Sequence, residues 1–202
     1  MITIVDVAGD IVMMDAETDA YLCIGRNSLP QNGANGRAAP DRGQQVSDVL
    51  AAAGLARDRW RWADPAPLWV RQDLDRLDVS ARRTLAAVPR MIIAGLATWL
   101  RLRGPVSSYR RWTVRSRECD PALVASIVSA FDALRPFVPR LGRCLPNSLF
   151  MRDFLALYGI PSTLIFGVRT HPFEAHCWIE HDGAVLNDTA DHVAWFTPIY
   201  SC

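Results

Sequence analysis

The chain contains no lysine; all 22 of its basic residues are arginine. A lysine nucleophile or Schiff base is therefore closed to it. Its five cysteines, Cys23, Cys119, Cys144, Cys177 and Cys202, are odd in number and include no C-x-x-C pair. That pattern offers neither a disulfide framework nor a zinc ribbon, and it suits a reducing compartment. No uncharged run reaches the about 20 residues of a bilayer span. The opening M-I-T-I-V-D-V lacks the positive region and cleavage site of a signal peptide. The expectation is a cytoplasmic protein with no membrane span. No glycine-rich phosphate loop occurs, and neither a cofactor nor a metal is expected.

Half of the 202 residues are hydrophobic, enough for a sizeable core in one or two domains. The net charge of +1 hides an uneven distribution. Residues 1–75 carry 7 Arg against 11 acids, residues 76–117 carry 10 Arg against Asp78 alone, and residues 118–202 carry 5 Arg against 9 acids. A basic middle thus lies between two mildly acidic ends. Without aromatics interleaved at base-stacking spacing, nucleic acid fits that middle least well.

Three short β-branched runs open the chain, at residues 2–7, 11–14 and 21–24, separated by Gly9-Asp10 and by a polar connection. Residues 27–42, rich in Gly, Pro and Asn, read as a loop. Residues 46–53 read as a short helix capped by Gly54, and Trp60, Trp62 and Trp69 follow around D-P-A-P. This is a small α+β module, the kind that leans on a neighbour. Its third strand, Tyr21, Leu22, Cys23 and Ile24, offers a sheet edge to which a peptide can add. Residues 80–103 read as one helix, or two joined at Pro89, with Ser80 as N-cap and an apolar stripe of Met91, Ile92, Leu96, Trp99 and Leu100. Asp120-Pro121 starts the next helix, with Leu123, Ile127, Phe131 and Leu134 on its apolar face.

The chemistry concentrates between residues 142 and 188. In R-C-L-P-N-S-L, Pro146 belongs in a first helical turn, so Cys144 sits at a helix N-terminus. The helix dipole and free N–H groups there favour thiolate and can bind an oxyanion. His176 lies 32 residues on, in the strand A-H-C-W-I-E, and Asp188 lies 12 beyond it. A three-residue turn, His181-Asp182-Gly183, would pair His176 directly with Asp188, whereas a two-residue turn would set Asp188 opposite Cys177. The expectation is therefore a three-residue turn and a catalytic triad of Cys144, His176 and Asp188. His192 reads as a surface residue and Cys177 as a core residue behind the sheet. A metal site at Cys144, His176, Cys177 and Asp188 is disfavoured, because Cys177 and His176 point to opposite faces of one strand.

The segments R-C-L-P-N-S-L, G-I-P-S-T-L-I-F-G-V, H-P-F-E-A-H-C-W-I-E and V-L-N-D resemble the lasso-peptide B proteins over about residues 80–202. These are leader peptidases of the transglutaminase-like, papain-related superfamily. The resemblance implies two domains: a winged-helix-like precursor-recognition element over 1–78, and a cysteine peptidase with a catalytic helix and antiparallel sheet over 79–202. It makes Cys144 the nucleophile, His176 the general base and acid, and Asp188 the orienting acid. It also implies a ribosomally made precursor peptide as substrate, and an ATP-dependent macrolactam synthetase, the cyclase, as partner. The family commonly has a small residue where Cys177 stands. Two other activities stay open: a transglutaminase or amidase of the same superfamily, and a non-catalytic precursor-binding adaptor.

Overall fold

The computed structural model describes residues 2–15, 18, 20–28, 42–52, 60–64, 71–103, 119–138 and 143–202. Most of the expected 27–42 loop, Gly54, Trp69, Arg110, Arg111, Arg115 and Arg117 lie outside the described residues. The architecture is α+β, with an N-terminal sheet and helix followed by helices and a second sheet.

Strands β1 (Ile2–Val7), β2 (Asp10–Asp15) and β3 (Ala20–Ile24) form an antiparallel meander. The β1–β2 turn is Ala8-Gly9, with positive φ at both residues (53° and 91°). Such a turn matches the twist of the strands it joins. A further strand, β4 (Trp60–Trp62), pairs parallel with β1, and the order is β3-β2-β1-β4. Both faces of this sheet are covered. Ile4, Ile11 and Met13 meet Val46 and Leu50 of helix α1 (Arg42–Ala52). Val5, Val7, Val12 and Met14 point the other way, into the core of the C-terminal part. Strict alternation along β1 and β2 creates these two faces.

The second sheet has the order β5-β8-β7-β6-β9. Its strands are β5 (Gln72–Asp73), β6 (Thr163–Thr170), β7 (Phe173–His181), β8 (Ala184–Val185) and β9 (Thr197–Ser201). β5 pairs parallel with β8, so this sheet takes in residues upstream of position 79. The β6–β7 hairpin is its long spine, eight directly paired positions from Thr163↔Glu180 to Thr170↔Phe173.

One helix packs directly against it, and two more pack on that helix and on each other. Helix α2 (Ala81–Arg101) runs unbroken through Pro89, with Ser80 at its N-cap position making no side-chain cap bond. Helix α3 (Pro121–Leu134) starts as expected: the Asp120 carboxylate accepts from the Ala122 N–H at 3.0 Å, and Pro121 occupies the first position. Helix α4 (Cys144–Ala156) is buried from Leu145 to Leu155 on nearly every side. Its buried residues include the polar Ser148, Arg152 and Asp153, which need partners from neighbouring elements. Its Phe150 and Phe154 close on Phe131 of α3, with ring centroids 5.0 and 5.3 Å apart.

The orientation of α2 reverses the expected one. Of the stripe Met91, Ile92, Leu96, Trp99 and Leu100, only Met91 is buried. The inward face is the small-residue side, Ala87, Met91, Ala94 and Thr98. Gly95 faces α4 as well, and a Cβ there would meet the Phe150 ring at 3.6 Å, an ordinary contact. Buried Thr98 donates to the Asp153 carboxylate of α4 at 2.9 Å, and Arg101 pairs with the same carboxylate at 3.3 Å. Polar anchoring and the small side chains of that face therefore decided which face turned inward.

Candidate active site

Cys144 is the first residue of α4. Arg143 precedes it in an extended conformation and makes no side-chain cap bond. The first-turn N–H groups are thus not consumed by a capping side chain. The half-buried thiol is held down to about 4. The leading cause is a hydrogen bond from the Cys177 side chain; burial opposes it, and His176 and the Cys177 backbone N–H add to the lowering. Cys177, expected only as packing, is buried in the core and also hydrogen-bonds to the thiolate.

His176 lies on β7, opposite Gly167 of β6. Its Nε2 is 2.5 Å from Oδ2 of Asp188. That leaves Nδ1 as the ring nitrogen for the Cys144 hydrogen bond. Burial pulls the imidazole pKa down, but the bonds to Cys144 and Asp188 outweigh it and raise it above the ordinary histidine value. Cys144 down and His176 up together favour the thiolate–imidazolium form of the pair. The ring stacks on Trp178, centroids 5.9 Å apart and 22° between planes, and meets Phe196 at 5.1 Å. Trp178 is itself fixed: it is fully buried and its indole N–H donates to Glu180 at 2.6 Å, with Arg71 paired to the same carboxylate.

Asp188 holds three partners. Besides His176, its Oδ1 accepts the Thr189 N–H at 2.8 Å, and His192 Nδ1 lies 2.9 Å from both carboxylate oxygens. Burial raises its pKa, and these three bonds more than compensate, so the net shift is downward. His192 is therefore no bystander on the surface. Four residues after Asp188, on helix α5 (Ala190–Val193), it steadies the carboxylate with its ring 5.0 Å from that of His176.

The structure brings Cys144, His176 and Asp188 together, but by another route than the expected turn. The β7–β8 connection has two residues, Asp182 and Gly183, both at positive φ (48° and 81°). The register is Glu180↔Val185 and His181↔Ala184, which would set Asp188 opposite Cys177 if the ladder continued. It does not continue. β8 ends at Val185, and after the Leu186 N–H bond to the Ile179 carbonyl (2.9 Å) the chain bends away. The Asn187 side chain takes over the ladder's role: its Oδ1 accepts the Ile179 N–H at 2.8 Å, and its Nδ2 donates to Ser148 Oγ at 2.8 Å. Ser148 in turn donates to the Cys177 carbonyl at 3.1 Å. This chain of bonds ties α4, β7 and residues 187–188 into one unit. Freed from strand alternation, Asp188 swings to His176.

Among the described residues, His176, Asp188 and His192 bring ligand atoms within 4.8 Å of one another. The nitrogens concerned already bond to the Asp188 carboxylate.

The transglutaminase-like superfamily profile matches residues 77–201, more than half of the chain. The chain belongs to the transglutaminase-like superfamily. Proteins of this fold are typically cysteine proteases or acyltransferases. The chain is also 42% identical over 45 residues to the microcin J25-processing protein McjB of Escherichia coli, a match spanning 22% of each chain. No solved structure matches. Among the described residues no helix is long and apolar enough to cross a membrane.

Tyr21, Leu22, Cys23 and Ile24 lie on β3, at the edge of the first sheet. They are not at the thiol. The Tyr21 ring packs 6.5 Å from Phe173, the first residue of β7, three residues or about 10 Å of extended chain from His176. His171 of the β6–β7 turn also pairs with Asp10 at 2.8 Å.

Proposed function

We propose that this chain is a cysteine peptidase that removes the leader from a ribosomally made lasso precursor peptide, freeing the core N-terminus for ring closure by a partner cyclase. The observation that carries the peptidase reading is the thiol held at about 4 beside an imidazole raised above its ordinary range, itself bonded to Asp188. The partial similarity to McjB supports the choice of substrate class.

The Cys144 thiolate attacks the carbonyl at the leader–core junction, and helix N-terminal N–H groups receive the developing oxyanion. His176, as imidazolium, gives its proton to the departing amine, which becomes the core N-terminus. Neutral His176 then takes a proton from water, the hydroxide attacks the thioester carbonyl and expels the Cys144 thiolate, and the leader departs as its carboxylate. Asp188 holds the ring orientation throughout, with His192 and Thr189 holding Asp188. The leader is placed as an added strand on the open edge of β3, where Leu22 is 56% exposed. The Tyr21–Phe173 and Asp10–His171 contacts connect that edge to the strand bearing His176.

The test is Cys144→Ala with a synthetic precursor. Precursor binding is expected to survive while cleavage disappears from the mass spectrum. Persisting cleavage would remove the peptidase assignment, and an amide-linked or amine-exchanged product in the native enzyme would assign a transferase instead. Removing residues 1–75 would strip Val5, Val7, Val12 and Met14 from the common core, so leader capture is better tested by Leu22→Asp. It is expected to raise the Kd for leader peptide while leaving cleavage of a leaderless junction peptide unchanged.

A further inference from the structure

Helix α2 turns its bulk outward. Leu85, Ile92, Ile93, Leu96, Trp99 and Leu100 are each between 50% and 69% exposed, while its buried contacts are Ala87, Met91, Ala94 and Thr98. At 100° per residue the six exposed side chains share one face, with Pro89 among them. Arg82 and Arg103 mark its two ends. The stripe runs for about 30 Å along the helix. Isolated exposed apolar side chains are ordinary, but a contiguous stripe of this kind marks a contact surface.

Charge says what the contact is. The sequence has no acidic residue between Asp78 and Glu118, and the helix carries Arg82, Arg83, Arg90 and Arg101, with Arg103 just beyond it. A second copy laid antiparallel on the same stripe would set Arg82 against Arg103, like charge facing like. A protein partner ordinarily supplies about one hydrogen bond per 100–200 Å² of interface. Between Arg82 and Arg103 the crest of the stripe offers only the Trp99 indole N–H, and Pro89 has no backbone N–H to give. Aliphatic side chains with a tryptophan between cationic ends match an anionic lipid surface, where the indole sits at headgroup depth and arginine meets phosphate. Arg103 already lies over the Trp99 ring, 3.3 Å from its centroid, so cation and indole reach such a surface together. We propose that the α2 stripe is a docking face for an anionic phospholipid bilayer, which it meets lying in the interface and without crossing it.

This inference is independent of the peptidase reading, since it uses no residue of the thiol site. α2 nevertheless lies directly on the helix that begins with Cys144, through Gly95–Phe150 and Thr98–Asp153. A docked α2 would hold the thiol at a fixed height above the lipid.

The experiment is flotation of the full chain with phosphatidylcholine vesicles and with vesicles containing equal phosphatidylglycerol. Binding to the anionic vesicles is expected, with release as salt is raised through the physiological range. Leu96→Glu is expected to lower the partition coefficient at least about tenfold, and Arg82→Gln or Arg103→Gln about fivefold each. All three side chains lie outside the core, so circular dichroism and peptide cleavage in solution are expected to stay at the native level. Absence of flotation at low salt, equal binding to neutral vesicles, or native binding by Leu96→Glu would each overturn the proposal. So would a native dimer on gel filtration that Leu96→Glu converts to monomer, because that assigns the stripe to a second copy.

Discussion

Gly167→Ala should damage the site without touching any reacting group. Gly167 stands on β6 directly opposite His176, where β6 shifts register against β9. A Cβ built there would lie 2.8 Å from two ring carbons of Trp178 and 2.9 Å from Cβ of Phe196. Carbon atoms pack at about 3.5–4.0 Å, so each contact is short by roughly 0.6 Å or more. Neither neighbour can yield cheaply. Trp178 is fully buried and pinned by Glu180, and the Phe196 atom is attached to the main chain. The methyl therefore displaces backbone or indole, at a cost of about 1–3 kcal/mol. In a domain of this size each kcal/mol lowers Tm by about 2–4 °C, so a fall of roughly 2–12 °C is expected. Both neighbours also wall the His176 ring, at 5.9 and 5.1 Å. A misplacement near 1 Å can reduce turnover about 10²-fold. The assay is a thermal melt beside kcat/KM for precursor cleavage. A Tm within 1 °C of native together with full activity would refute the packing argument, and a lowered Tm with native kcat/KM would show that the imidazole does not depend on this wall.

Four other outcomes follow from the structure. Alkylation of Cys144, followed on its own peptide by mass spectrometry, should rise with pH through about 4, and kcat/KM should rise with it, then fall once pH exceeds the raised His176 value. Asp188→Asn removes one of the two contacts that raise His176 while burial still pulls it down, so the basic limb should move to lower pH and kcat/KM should fall by about 10²–10⁴-fold. Arg101→Leu leaves the Asp153 carboxylate, whose side chain is 2% exposed, without its nearest cation, and equilibrium unfolding should show a loss of about 3–5 kcal/mol. Asn187→Ala orphans the Ile179 N–H and loosens residues 187–188, so urea unfolding should report a loss of about 1–3 kcal/mol, with cleavage slowed well beyond what the residual folded fraction explains.

The parts legible in the sequence were those where local chemistry and burial agree. The β-branched runs of β1–β3 and the Asp120-Pro121 start of α3 needed no partner to be recognised. Pro146 likewise placed Cys144 in the first turn of its helix. Gln72–Asp73 and Trp60–Trp62 were not legible, because two- or three-residue strands have no period and exist through their neighbours. Nor was the C-terminal T-P-I-Y-S strand, β9, read in advance. Helix α2 shows a different limit. Periodicity says that Ile92, Leu96 and Trp99 share a face, but not that the face is inward. The inward side was decided by Thr98 and Arg101 reaching Asp153, two long-range contacts that leave no periodic trace.

The hairpin shows how the same three residues can be brought together by a route other than the expected turn. Asp182-Gly183 is the strongest two-residue turn signal there is, since both positions need positive φ and Asp and Gly tolerate it. Requiring Asp188 to be the direct partner of His176 forced a longer turn onto that dipeptide. The hidden assumption was that β8 stays in the ladder as far as Asp188. A strand stays in its ladder only while backbone groups have no better partner. Here Asn187 offers its side-chain carbonyl to the Ile179 N–H and its amide to Ser148, which ends the strand two residues after the turn. The dipeptide N-D at 187–188 thus does two jobs in sequence: the first residue ends the strand, and the second, released from alternation, reaches the histidine. Restoring the ladder should undo this. Asn187→Val removes both side-chain bonds and favours an extended backbone, and it should carry Asp188 toward the Cys177 face. The histidine would then lose its carboxylate, so the basic limb of the pH profile should move down as it does in Asp188→Asn. A native basic limb in Asn187→Val would show that Asp188 finds His176 without the broken strand.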